Sequence, residues 1–272
     1  MTRLSMNEMT TYRWTFDEDV TKCVEHGIAA IGVWRRKLAD FGDERGIEML
    51  FDSGLVVSNL MWAGGFTGSD GRSVRESIDD AEEAISLAAA MRARSLVVFT
   101  GGHNGHTRNH ARRLVREALR ELEPVASDFG VTLAVEPMHT ACAHEWTIVT
   151  GIEDTLSLVD ELGSSQIGLA LDTCHVGYEL SNFDLLAQHA DRIAVVHLND
   201  SKWPPDGEQN SCRLGEGMAP LEEIVQGLNS AGYRGDFDVK LMGEEIEWTD
   251  YDKLIEHSKQ AFEALSGIAA NT

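Results

Sequence analysis

The chain has 272 residues, 43% of them hydrophobic and 25% charged, a balance unlike that of disordered or membrane classes and suited to one globular domain over residues 1–272. Its 45 acidic against 23 basic residues give a net charge of -22, so its field repels nucleic acid, and a small neutral molecule is the expected partner. No apolar run approaches the roughly 20 residues of a membrane helix, the start MTRLSMNEMTTYRW lacks a signal-type apolar core, and the four cysteines, Cys23, Cys142, Cys174 and Cys212, form no CxxC pair; no membrane, a cytoplasmic location and reduced thiols are expected.

One unit repeats along the chain, a short apolar strand followed by an amphipathic helix. Arg3 to Asn7 reads as a first strand and Phe16 to His26 as its helix, with Asp17 and Glu18 favourable to the dipole at its start and Gly27 ending it. Ile28 to Trp34 is the second strand and Glu44 to Ser53 its helix. Leu55 to Leu60 is the third, followed by the glycine-rich loop AGGFTGSDG and a helix from Val74 to Met91. Ser95 to Phe99 is the fourth, followed by TGGHNGH and a helix from about Asn109 to Phe129. Neither glycine-rich loop has the spacing of a dinucleotide or P-loop fingerprint.

The second half keeps the rhythm. Val131 to Glu136, Ile167 to Asp172, Ile193 to Leu198 and Phe237 to Leu241 are strands five to eight. Their helices are Ile152 to Leu162, a segment near Phe183 to His189, Leu221 to Ala231 and Tyr251 to Leu265. Continuous apolar runs such as Ile-Gly-Leu-Ala-Leu before Asp172 read as strands buried on both faces. Eight alternations without a dividing linker predict an α/β fold, a closed parallel (β/α)8 TIM barrel of one domain; such barrels take about 250 residues.

Polar residues then recur at one end of successive buried strands: Glu136 ends strand five, Asp172 ends strand six, and His197 lies near the end of strand seven. Converging on the barrel mouth, two carboxylates and an imidazole make a divalent-cation site, because buried carboxylates at close range need a positive charge to stay ionised. The alternative is that each is an isolated polar residue with a local hydrogen bond.

The segments VEPMH, LALDTCH, VVHLNDS, RLGEG and GYRGDFDVKLMGEE resemble the xylose-isomerase-like barrel family of sugar phosphate isomerases and epimerases, which includes ketose 3-epimerases, inosose dehydratases and endonuclease IV. The resemblance implies Glu136, Asp172 and His197 as ligands of a divalent metal (Mn, Mg, Co or Zn), His175 and Arg213 as substrate contacts, and Glu136 as the catalytic acid/base. It also implies a glutamate on strand eight, where this chain has Lys240. If Val239 and Leu241 face the outer helices, Asp238, Lys240 and Met242 face the interior, which aims the lysine at the expected ligands.

Four explanations stand for Lys240. Three protein ligands and water hold the metal beside it; Glu244 or Glu245 reaches back to supply a carboxylate; the ammonium replaces the metal; or the charge reversal damages the site. A Schiff-base role would need its pKa depressed, which two nearby carboxylates oppose. His103, after strand four, and Glu145, after strand five, are further candidates for touching substrate, against the plain reading of solvated loop residues; Trp14, Trp34 and Trp62 wall a sugar pocket or pack the core.

The function implied is a metal-dependent isomerase or epimerase in carbohydrate metabolism, impaired if Lys240 is not itself a competent base. The alternatives are a lyase of the same fold, a dehydratase or C-glycoside-cleaving enzyme, or a non-catalytic sugar-binding barrel. The expected partner is a small-molecule carbohydrate, and a homo-oligomer is compatible with the sequence.

Overall fold

The computed structural model describes residues 2–176, 182–208 and 210–267, with the side chains of 176, 182 and 183 set aside. The expected domain span of 1–272 therefore extends past the described residues, as does the side chain of Phe183 in the helix expected near it.

In order the elements are β1 (Arg3–Asn7), α1 (Phe16–Glu25), β2 (Ala30–Trp34), α2 (Arg35–Phe41), α3 (Asp43–Ser53), β3 (Val56–Gly64), α4 (Val74–Ala90), β4 (Ser95–Phe99), α5 (Arg108–Phe129), β5 (Thr132–Val135), α6 (Ile152–Leu162), β6 (Ile167–Asp172), α7 (Thr173–Val176), α8 (Asn182–Gln188), β7 (Ile193–Leu198), β8 (Asp200–Ser201), β9 (Ser211–Cys212), α9 (Leu221–Ser230), β10 (Asp236–Val239), α10 (Glu244–Glu247) and α11 (Tyr251–Ser266). Eight parallel strands close in the order β1-β10-β7-β6-β5-β4-β3-β2. This is the expected TIM barrel.

Alternation along each strand divides the core in two. Leu133 and Val135, Leu169 and Leu171, Val196 and Leu198, and Phe237 and Val239 belong to the layer between strands and helices. Ala134, Ala170 and Val195 point into the barrel, where they pack with Met61, Val97 and Phe99. Ala134 and Ala170 lie two residues before Glu136 and Asp172, which therefore share their inward face. Register then fixes height: Asp172 pairs with His197 and Asp238 pairs with His197 across neighbouring strands.

Local expectations needed three corrections. A second helix, α2, starts directly after β2 and is broken from α3 by Gly42, whose φ of 105° no helix can continue. Strand β3 runs on to Gly64, into what read as a loop, because Gly64 pairs with Phe99 of β4. Strand β10 ends at Val239, although the Lys240 amide still donates to the Leu198 carbonyl at 3.0 Å, so the inward alternation carries through to Lys240.

The long polar loop after β7 is built around Asp200. Its carboxylate accepts from the backbone amides of Ser201, Gly215, Gly217 and Ala219 at 2.9–3.1 Å, tying the RLGEG segment back to the β8–β9 ribbon. One buried carboxylate thereby satisfies four amides that a loop would otherwise leave to solvent.

Candidate active site

Strands β5, β6, β7 and β10 deliver Glu136, Asp172, His197 and Lys240 to one point at the carboxyl end of the barrel, all of them buried. The ammonium Nζ of Lys240 donates to Glu136 Oε1 at 2.7 Å and lies 3.1 Å from Asp172 Oδ2 and 3.2 Å from His197 Nδ1. His197 Nδ1 is also 2.9 Å from Glu136 Oε2. Asp172 is oriented locally, its Oδ1 accepting from the Cys174 amide at 2.9 Å at the start of α7.

These contacts fix the charges. Burial pushes the Glu136 carboxyl up, but the Lys240 ammonium and His197 outweigh it and hold the group at about 2. Burial acts to discharge Lys240, and the carboxylates of Glu136 and Asp172 overcome it, so its pKa is raised above the ordinary lysine value. A Schiff-base nucleophile needs the opposite shift.

Above Lys240 lies a cavity of about 130 Å³. Its floor includes Lys240 and His175; its wall is largely apolar, with Met9, Met61, Trp62, Phe99, Met138 and Trp146. The rings of Trp62, Phe99 and Trp146 pack with centroids 5.6–5.8 Å apart. Glu136, Asp172 and His197 do not line the cavity, because the lysine covers them. His175 Nδ1 is buried with no hydrogen-bond partner among the described residues, and burial lowers the ring's pKa, favouring the neutral base.

The other expected contacts lie elsewhere. His103 is exposed on the loop after β4, and Glu145 is exposed while its carbonyl, not its carboxylate, accepts from Ser69 Oγ and the Gly102 amide. Arg213 donates to Thr249 Oγ1 at 3.2 Å. None of the three lines the cavity. Glu244 and Glu245 are exposed on α10, and Glu245 pairs with Lys202, so neither supplies the absent carboxylate. Trp14 packs edge-on against Tyr251, away from the cavity, and Trp34 stands beside Tyr12 in a second groove.

Sequence reasoning missed Asn199, Asn210 and Ser211 on the cavity wall. Asn199 had a signal, since it directly follows the last apolar residue of β7; the other two depend on how the long loop folds back. Also missed was the polar layer beneath, where Asp238 Oδ2 accepts from Asn7 Nδ2 and Asn59 Nδ2 at 2.6 and 2.8 Å.

Whether a divalent metal fits turns on Lys240. One donor atom each from Glu136, Asp172 and His197 lie within 4.8 Å of one another, a donor set suited to such an ion. The lysine Nζ, however, is within 2.7–3.2 Å of an atom from all three. A dication about 3 Å from an ammonium is repelled by roughly 10 kcal/mol even at an effective dielectric of about 20. The residues as arranged do not fit a metal.

A profile of the family described as xylose isomerase-like TIM barrel matches residues 20–263. A D-psicose 3-epimerase of Enterocloster bolteae is 36% identical over 124 residues, 45% of this chain; the match spans 37% of that enzyme's length. An inosose isomerase of Bacillus velezensis is 22% identical over 277 residues, covering 97% of this chain and 96% of the relative. In fold the chain is similar to the IOLI protein, solved with a zinc atom, at a TM-score of 0.85 and 20% identity over 100% of both chains.

Proposed function

Because the chain belongs to the xylose isomerase-like TIM barrel family, we propose that it is a sugar isomerase or epimerase that moves a proton at the carbon beside a carbonyl. The observation that carries this reading is a charged lysine, Lys240, and a histidine, His175, whose Nδ1 has no hydrogen-bond partner among the described residues, lining one pocket in that family's barrel.

Removing a proton beside a carbonyl places negative charge on its oxygen, and the barrier falls if a fixed positive group faces that oxygen. Lys240 is such a group. Glu136 and Asp172 each hold one of its hydrogens and His197 Nδ1 lies 3.2 Å from its Nζ, so it meets an oxygen in the cavity as a fixed positive charge. His175, which lines the cavity and is held toward its neutral form by burial, takes the proton and returns it. Glu136 keeps Lys240 charged; it acts as the acid/base itself only when the lysine swings aside. Substrate contacts by His103, Glu145 and Arg213 would require their loops to close over the mouth.

The apolar wall favours a second reading, a lyase in which the same proton removal expels an apolar group seated against Trp62 and Trp146. Incubation with a panel of ketoses, aldoses and sugar derivatives in D2O, followed by NMR, tests both. Deuterium should enter beside the carbonyl, at least about 100-fold more slowly in Lys240→Met and His175→Gln, the loss expected for a displaced charge or base. Two products would identify the lyase. Binding without exchange for any compound would leave a non-catalytic sugar-binding barrel.

A further inference from the structure

We infer that this chain carries its own cation: the Lys240 ammonium occupies the position a divalent ion would need between Glu136, Asp172 and His197, and the native centre binds no metal. The geometry is that of a filled site. Nζ lies 2.7, 3.1 and 3.2 Å from one donor atom of each neighbour, hydrogen-bond lengths for an ammonium, whereas a metal would need about 2.0–2.2 Å to the same atoms. The strands that carry the four residues adjoin in the closed sheet, so the ammonium is anchored by the barrel itself.

The lysine also loses its partners if it moves. Admitting an ion requires Nζ to leave both carboxylates, and the space above is lined by Met9, Met61, Phe99 and Met138 with only neutral polar groups, such as Asn199 and Ser211, besides His175 and Glu208. The one carboxylate among the described residues on that wall, Glu208, is exposed and so sits toward solvent. A displaced ammonium would leave two buried carboxylates without their cation and gain no buried counter-charge in return, which disfavours the move. Glu136 and Asp172, each with an oxygen on Nζ, are in turn the buried acids that need this cation.

The test is metal stoichiometry and thermal stability of the purified full chain after equilibration with manganese, magnesium, cobalt or zinc and gel filtration. The wild-type chain should retain less than about 0.1 ion and show a melting temperature unmoved by EDTA or by metal, because a ligand that does not bind the native state does not stabilise it. Lys240→Glu should take up one ion per chain and melt about 5 °C higher with metal than with EDTA, the size of shift a bound ion confers on a domain of this length. Lys240→Ala, which removes the ammonium without adding a ligand, should also gain an ion, more weakly.

One ion per wild-type chain overturns the inference, as does failure of both folded variants to bind any ion, since the ammonium would then not be what excludes metal. Should neither variant fold, the wild-type stoichiometry decides: none bound sustains it and one bound ends it. No substrate enters this measurement, so it succeeds or fails independently of the proton-exchange assay.

Discussion

Replacing Lys240 by Met keeps most of the side chain's bulk and removes its charge, and it should change how the barrel responds to acid. In the native centre Glu136 is held at about 2 against an ordinary 4.5, burial being outweighed chiefly by Lys240. A carboxyl depressed on folding contributes its full stabilisation above about pH 4.5 and loses it as pH falls from there through 2. At about 1.4 kcal/mol for each pH unit, that contribution is about 3 kcal/mol. In Lys240→Met, two buried carboxylates face each other without the cation that touched both. At pH 7 this should cost about 3–5 kcal/mol, or roughly 10 °C in melting temperature for a chain of this size. With the ammonium gone, burial prevails and Glu136 binds a proton more tightly folded than unfolded, so the variant should gain stability as pH falls from 7 toward 5. Urea denaturation of both proteins at pH 7, 6, 5 and 4 measures the gap between them, in which the response of unrelated acids cancels. The gap should narrow from about 4 kcal/mol toward about 1 kcal/mol across that range. A gap that stays constant would refute the claim that Glu136 and Asp172 depend on this lysine for their charge.

Three further outcomes follow from other parts of the fold. Asp200→Ala removes the acceptor for four backbone amides and should lower urea stability by about 3 kcal/mol; proteolysis should then cut first between residues 202 and 219, while Asp200→Asn, which keeps one oxygen, should fall between. Gly64→Ala places a Cβ 1.7 Å from the Phe99 carbonyl oxygen at a φ of 136°, and a loss of at least about 3 kcal/mol is expected in the same assay; a change below about 0.5 kcal/mol would contradict the β3–β4 contact. Trp62→Ala opens the wall shared with Phe99 and Trp146 and should raise KM at least about tenfold while changing kcat little, the pattern of lost uniform binding; the reverse pattern in steady-state kinetics would place Trp62 against the reacting atoms instead of the wall.

Alternation in four short strings, VTLAVE, IGLALD, IAVVHL and FDVKL, was enough to put Glu136, Asp172, His197, Asp238 and Lys240 on the inward face, because a strand's side-chain period of two is independent of what surrounds it. Eight repeats of strand and helix likewise determined the barrel. The sequence alone left four explanations for Lys240 standing, since nothing local says whether an inward lysine bends away, binds its neighbours or displaces them. Closure decided that: it brings residues 104 positions apart to within 2.7 Å, and the ammonium contacts the very acids that had read as metal ligands. His103, Glu145 and Arg213 lie off the cavity lining for a related reason. Loops take their course from distant partners, Ser69 Oγ on the Glu145 carbonyl and Thr249 Oγ1 on the Arg213 guanidinium, and those partners exist only once the chain has folded.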